Sequence, residues 1–170
     1  MTHPEFSYAF HQHKDVLYRF AYRMTGSAPA AEDVVQDCFV LLWRRPEAYR
    51  AQRGALRSFL LGMARNLMLK RLRVERPYDP LGDESSICQP VDMAGLERAE
   101  IIARAIQALP QLQREAIILA EYEDLTLEEI ASSTGAELAA VKSRVHRARE
   151  NLRRILAPLF EEKGTAYGTK

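Results

Sequence analysis

The stretch LEEIASSTG at residues 127–135 is followed by VKSRVHRAR at residues 141–149, and together they predict a helix-turn-helix. Thr126 is a favourable N-cap residue, and Glu129 follows it at capping-box spacing. Gly135 is expected to end this first helix, because glycine tolerates the left-handed backbone of a sharp turn. A second helix is predicted from about residue 136 to residue 156. A helix-turn-helix of this kind makes duplex DNA the leading candidate ligand.

The second helix of this motif has one apolar stripe and a basic remainder. Its apolar residues recur at three- and four-residue steps, which predicts an inward face: Leu138, Val141, Val145, Ala148 and Leu152. Residues 115–137 hold seven acids and no Lys or Arg, whereas residues 138–156 hold six bases and one acid. This charge separation favours DNA contact over a merely solvated helix surface. The candidate DNA-binding residues are Lys142, Ser143, Arg144, His146, Arg147 and Arg149.

The rest of the chain also follows helical patterns, so the sequence predicts an all-α protein. Helices are expected over residues 6–24, 28–45, 55–73, 96–108 and 111–121, and no strand pattern competes with them. Between the third and fourth helices lies a segment rich in Pro, Gly and acidic residues, without usable periodicity. It is long for a loop inside a compact domain and is typical of a linker.

The predicted organisation is therefore two small helical domains joined by a flexible acidic linker, the second domain containing the helix-turn-helix. The expected bounds are 1–75 for the first domain, 76–94 for the linker, 95–160 for the second domain and 161–170 for a loose tail. Formal net charge is only +1, but residues 44–76 hold ten Lys or Arg against two Glu. Two basic blocks flanking an acidic one predict that a polyanion is contacted at two separate places.

Composition argues against several other classes of protein. Cys38 and Cys88 are too few for a disulfide scaffold, and we find neither a signal peptide nor an apolar run of membrane-spanning length. His11 and His13 are expected on different sides of a helix, which disfavours a metal site. We expect a cytoplasmic protein without membrane insertion, catalytic residues, bound metal or cofactor.

Several short motifs in this order resemble the extracytoplasmic-function (ECF) group of bacterial RNA polymerase sigma factors. Each motif alone is weak, and their order and spacing are specific. In the first half the family-like stretches are LYRFA at 17–21, AEDVVQD at 31–37, LWRR at 42–45 and ARNL at 64–67. In the second half they are LP at 109–110, RE at 114–115, LEEIA at 127–131 and VKSRVHRAR at 141–149.

The resemblance implies a promoter-specificity subunit that binds core RNA polymerase through its β′ clamp and β subunit. It implies that the second module recognises the −35 promoter element, that the first recognises the −10 element and helps to open the duplex, and that an anti-sigma factor is a partner. On the second helix, a mixed face is expected to pack on the clamp coiled coil: Asp33, Gln36, Val40 and Trp43. From the residues alone, the favoured interpretation is that Trp43 closes its own module and the acids are solvated; the resemblance favours the interface instead.

The loop at 47–54 and the helix after it resemble the part that handles the melted −10 strand. Single-stranded recognition needs cations for the backbone and a surface that can stack or enclose a base. The candidates are Tyr49, Arg50, Gln52, Arg53, Arg57, Arg65, Asn66, Lys70, Arg71 and Arg73. Two departures from the family pattern leave the promoter sequence open: many relatives have Trp within the stretch that reads RSFL at 57–60 here, and Thr at Ala140.

Two other functions are compatible with parts of the sequence. A stand-alone helix-turn-helix regulator would explain the second half but explains the first half poorly. A metal-dependent nuclease would use Glu32, Asp33 and Asp37 as a carboxylate site, yet no His ligand, phosphate loop or nucleophile–base pair accompanies them.

Overall fold

The structure is a computed structural model that describes residues 2–75 and 94–164, with side chains for residues 2–71 and 94–158. The described residues form seven α-helices: α1 His3–Thr25, α2 Ala28–Arg44, α3 Leu56–Glu75, α4 Arg98–Gln107, α5 Gln111–Glu121, α6 Leu127–Thr134 and α7 Leu138–Gly164. Two short 3-10 turns, Pro46–Ala48 and Ala51–Arg53, lie between α2 and α3. These ranges contain no β-strand, which confirms the all-α prediction. The predicted linker at 76–94 falls almost wholly outside the described residues.

Helices α1, α2 and α3 form the first module. Gly26 adopts a left-handed backbone (φ 70°) that ends α1, and the Ser27 hydroxyl then caps α2 by accepting a hydrogen bond from the Ala30 amide at 3.3 Å. Because these two residues reverse the chain within one turn, α1 and α2 pack closely along their lengths. Their shared core contains Leu17, Phe20, Val34, Cys38 and Leu42, to which α3 adds Leu60, Leu61, Ala64 and Met68.

Helices α4 to α7 form the second module. The predicted capping box at the start of α6 is confirmed. The Thr126 hydroxyl accepts from the Glu129 amide at 3.2 Å, and the Thr126 amide donates to the Glu129 carboxylate at 2.9 Å. Gly135 has φ 68°, so it supplies the predicted left-handed turn between α6 and α7. The predicted inward-facing stripe of α7 is confirmed at its centre, since Val141, Val145 and Ala148 are buried.

The two modules pack against each other and share one continuous hydrophobic cluster. Helix α3 lies against α6, and α1 lies against α4 and α5. Gly62 of α3 provides the closest approach, because a Cβ atom at this position would lie 2.8 Å from the Ser133 carbonyl oxygen. Because glycine carries only a hydrogen in place of the Cβ atom, α3 can pack this closely against α6.

Two details of the sequence prediction are wrong. In α2 the helical spacing of Val34, Val35, Cys38, Leu41 and Leu42 predicts one buried stripe, but Leu41 is 37% exposed and Phe39 takes a buried position instead. The last helix was expected to end near residue 156, ahead of a loose tail at 161–170. Helix α7 continues to Gly164 with Pro158 inside it, and residues 165–170 lie outside the described ranges.

Candidate nucleic-acid interface and helix groove

An open, mostly apolar groove of about 850 Å³ runs between α1 and α2. Its floor is a set of interlocked aromatic rings: the centroid of Phe6 lies 4.9 Å from that of Trp43, and the centroid of Phe10 lies 4.8 Å from that of Phe39. Val35 also lines the groove. The charged residues at its rim are Lys14, Asp15, Glu32 and Arg44. An apolar floor with a charged rim suits the side of an amphipathic helix.

Three of the four residues predicted to meet a partner helix lie on this groove. Gln36, Val40 and Trp43 line it, and Trp43 is 49% exposed there. Asp33 lies apart, on the side of α2 that faces α3, where its carboxylate accepts from Arg71 at 3.3 Å. The sequence analysis did not assign to this site Phe6, whose ring packs on Trp43, or Phe10, whose ring packs on Phe39. Phe6 and Phe10, like Phe39 and Trp43, are four residues apart, so helical spacing of aromatic residues was the signal that could have found them.

The basic surface of α7 carries the predicted duplex-DNA residues. Lys142, His146, Arg147 and Arg149 are exposed, and Ser143 and Arg144 are half-buried. Arg149 donates twice to Glu121, from Nε at 3.1 Å and from Nη2 at 2.5 Å, which holds the guanidinium over the junction of α5 and α7. His146 lies 3.4 Å from the Glu150 carboxylate one turn later. Helix α7 thus presents cations on one side and buries its apolar stripe on the other.

The loop between α2 and α3 is held in shape by Tyr49. Its hydroxyl donates to the Gly54 carbonyl oxygen at 3.3 Å, and its ring centroid lies 5.6 Å from that of Phe59. Arg50, Gln52 and Arg53 of the same loop are exposed. An anchored aromatic ring beside free cations is an arrangement that can receive a single strand.

The remaining −10 candidates on α3 do not share one environment. Asn66 and Lys70 are exposed, whereas Arg57 and Arg65 are turned toward the second module. The side chain of Arg73 lies outside the described set. Arg71 bridges two carboxylates of α2, at 3.3 Å from Asp33 and 2.7 Å from Asp37.

The pairing of Asp33 and Asp37 with Arg71 disfavours the nuclease alternative. A metal site needs carboxylates that converge and are not already neutralised, and Glu32 instead lies at the rim of the groove. Among the described residues, no group of three or more His, Cys, Asp or Glu is placed to hold a metal ion.

Cys38 is a buried core residue, and burial raises the pKa of its thiol to about 12, so it has little thiolate character. In the part of the chain that the structure covers, none of the helices combines the length and apolar character needed to cross a bilayer.

Two buried carboxylates are prominent where the modules meet. Glu115 is 3% exposed and pairs with Arg65, while Glu123 is 1% exposed and pairs with Arg57 at 2.9 Å. Burial raises the pKa of both carboxyl groups, with the arginine charges opposing the shift. The sequence analysis gave these two acids no role.

Comparison with known proteins agrees with this architecture. Residues 9–77 match sigma-70 region 2, and residues 99–152 match sigma-70 region 4. The ECF RNA polymerase sigma factor SigL of Mycobacterium tuberculosis is 32% identical over 156 residues, covering 88% of each chain. The chain belongs to the ECF RNA polymerase sigma factors.

Another relative is also an ECF sigma factor, and two solved structures share the fold. SigE of Mycolicibacterium smegmatis, another ECF sigma factor, is 33% identical over 163 residues, covering 91% of this chain and 62% of the relative. The sigma factor RpoE from Bartonella quintana, solved in complex with the anti-sigma factor NepR, superposes with a TM-score of 0.67 at 28% identity, covering 85% of this chain and 91% of RpoE. CnrH, at 22% identity and a TM-score of 0.69 over 92% of this chain and 90% of its own, shares the fold. Because the matches span both modules, they do not favour a stand-alone helix-turn-helix regulator.

Proposed function

We propose that this ECF sigma factor directs promoter recognition, DNA melting and transcription initiation as a subunit of the RNA polymerase holoenzyme. Polymerase performs the chemistry, and the sigma factor itself is not an enzyme. The observation that carries the proposal is the presence, in one chain, of an aromatic groove suited to a partner helix and a helix-turn-helix with a basic second helix. A cytoplasmic location follows from this role.

The groove between α1 and α2 is the proposed docking site for the β′ clamp of core polymerase. Val40 and Trp43 provide exposed apolar surface, and Gln36 provides a hydrogen-bonding group at the same edge. A half-exposed Trp beside an apolar floor of aromatic rings has the properties of an interface hot spot. Asp33 lies outside the groove, on the side of α2 that faces α3, where it pairs with Arg71; it is proposed as a further polymerase contact on the same helix.

Helix α7 is the proposed reader of the −35 element. Its exposed face carries both long cations and shorter polar groups, so phosphate contacts and base-edge contacts are available on one helix. The proposed contacts are Lys142, Ser143, Arg144, His146, Arg147 and Arg149.

The Tyr49 loop and α3 are the proposed −10 surface. Tyr49 offers a ring for an extruded base, and the neighbouring cations follow the backbone of the displaced strand. The proposed contacts are Tyr49, Arg50, Gln52, Arg53, Arg57, Arg65, Asn66, Lys70, Arg71 and Arg73.

The predicted domain bounds complete the proposal. A tether at 76–94 between modules at 1–75 and 95–160 raises the effective concentration of one module at the promoter once the other is bound. Its acidic residues would discourage it from lying on duplex DNA. Since the relative RpoE was solved with an anti-sigma factor, we propose that this protein also has an anti-sigma partner, and that the β subunit of polymerase contacts the second module.

Transcription with purified core polymerase on a genomic promoter library tests this function. We expect initiation at a limited set of promoters only when the chain is added to core. A mobility-shift assay with and without core separates the proposal from a stand-alone regulator, because a regulator would bind its site tightly without core. Tight core-independent binding to a duplex site, or absence of any added initiation, would contradict the proposal.

A further inference from the structure

We propose that Gln113 and Glu121 of α5 are positioning residues for the −35 element: together they hold α7 at one rotation about its own axis, and that rotation sets how sharply α7 discriminates between bases. This inference rests on the proposed function of α7 and deepens it. Each of the two residues acts through a side chain of α7, Gln113 through Asn151 and Glu121 through Arg149.

The first tie between the two helices is a hydrogen bond in the interior of the second module. The Asn151 side-chain amide donates to the Gln113 side-chain oxygen at 2.7 Å. Gln113 is 2% exposed, and most of its buried neighbours along α5 are apolar. Breaking such a bond is costly, because the group that remains has lost a partner away from bulk water. The bond therefore favours one placement of α7 over neighbouring placements.

The second tie lies at the surface, on the basic side of α7. Arg149 donates from Nε and from Nη2 to the same carboxylate oxygen of Glu121, at 3.1 Å and 2.5 Å. Both residues line a notch of about 330 Å³, which Lys142 and His146 also line. An exposed ion pair adds little stability. Two donors from one planar guanidinium nevertheless fix its direction, so this tie contributes orientation.

The two ties hold α7 from opposite sides. Residues 149 and 151 project about 200° apart around α7, while their Cα atoms are separated by only about 3 Å along its axis. Their partners Gln113 and Glu121 are about 12 Å apart along α5, which is about the diameter of a helix with its side chains. Helix α7 therefore crosses α5 with one tie on each flank. Turning α7 in either direction stretches one of the two ties.

The apolar stripe of α7 does not supply the same control. Val141, Val145 and Ala148 are buried, but the burial of apolar surface is non-directional, so such a stripe tolerates small rotations. Hydrogen bonds require a short distance and a nearly linear angle. A polar pair within an apolar contact can thus specify the register of two helices, as a buried Asn does in a coiled coil.

Rotation of α7 matters more for reading bases than for contacting phosphates. Side-chain tips lie about 6 Å from the helix axis, so a rotation of about 20° moves a tip by about 2 Å. A hydrogen bond to a base edge is lost over a smaller displacement than this. Long Lys and Arg side chains can still follow a phosphate, and phosphate contacts carry no sequence information. Loosening α7 should therefore lower sequence discrimination before it lowers salt-dependent affinity.

The test uses holoenzyme assembled from core polymerase and the full chain. It binds a duplex promoter library with a randomised −35 element, and sequencing of the bound DNA gives the ratio of the most to the least favoured base at each position. For the wild type we expect about tenfold or more at the best-read positions. Gln113→Leu removes one tie with little change in volume, and Glu121→Ala removes the other. We expect each variant to lower this ratio below about threefold, and Gln113→Leu to keep the wild-type slope of log affinity against log salt.

Three further variants separate positioning from stability. Ile118→Val removes one methyl group from the core of the same helix without touching either tie, so it should lose stability and keep the wild-type ratio. Glu121→Gln keeps an acceptor for Arg149 and should retain the discrimination that Glu121→Ala loses. Gln113→Asn combined with Asn151→Gln exchanges the two side-chain lengths, and this pair should restore the ratio that Gln113→Asn alone lowers.

The outcomes that would overturn the proposal are specific. A ratio within twofold of the wild type in either folded tie variant would overturn it, and so would an equal fall in Ile118→Val, which would assign the effect to stability. If Gln113→Leu does not fold, Glu121→Ala decides, since residue 121 is exposed. A clear −35 preference in the wild type, together with unchanged tie variants, removes only this inference. Absence of any −35 preference in wild-type holoenzyme removes the proposed function of α7.

Discussion

Trp43→Ala tests the groove of this ECF sigma factor as the polymerase docking site. Burying a whole Trp removes about 200 Å² from water, and Trp43 is 49% exposed, so a partner that covers it buries about 100 Å². At about 25 cal/mol per Å², this corresponds to about 2.5 kcal/mol, or about 70-fold in the dissociation constant for core polymerase.

The assay is equilibrium binding of fluorescently labelled chain to core polymerase. Leu41→Ala is the control, because Leu41 is an exposed apolar residue of the same helix that lies outside the groove. We expect Leu41→Ala to bind core as the wild type does. Circular dichroism should confirm that Trp43→Ala keeps its helices, since the Trp43 ring also packs on Phe6. Folded Trp43→Ala that binds core within twofold of the wild type would refute the assignment of the groove.

Three further predictions concern the second module. Thr126→Ala should lower the free energy of unfolding by about 1 kcal/mol, measured by urea titration, because it removes the cap of α6; an unchanged value would show that the capping box is not formed in solution. Lys142→Ala should weaken holoenzyme binding to a −35 duplex and reduce the slope of log affinity against log salt by about 0.9, whereas an unchanged slope would exclude a phosphate contact. Burial raises the pKa of Glu115 above its ordinary value of 4.5, so the folded chain binds this proton more tightly than the unfolded chain. The stability that Glu115 contributes is then complete below pH 4.5 and is lost as the pH rises through the folded-state pKa. Glu115→Gln should flatten this decline in urea titrations at pH 5 and pH 7, and an equal decline in both proteins would assign it to another group.

Much of the fold could be predicted because its signals are local. The Thr126 capping box, the Gly135 turn and the buried stripe of α7 each depend on residues within a few positions of one another, and each is confirmed. Leu41 shows where local pattern fails. Several apolar residues of α2 compete for the buried side, and the position of α1 decides that Phe39 is buried and Leu41 is exposed.

The candidate site was predicted less completely, for a related reason. Val40 and Trp43 were predicted to meet a partner helix, but the groove that they line also includes Phe6 and Phe10 from another helix. Sequence spacing shows which residues share one helix face, and it does not show which two faces meet.

The sequence by itself determined the helices, their caps, the helix-turn-helix and the two basic blocks, because these depend on backbone preference and on periodicity within single segments. Only the tertiary structure decided what the cations contact. Arg57 meets Glu123 across 66 residues and Arg65 meets Glu115 across 50, and nothing in either local pattern specifies those pairs. Their contacts depend on how closely α3 and α6 can pack, which Gly62 permits through the absence of a single carbon atom.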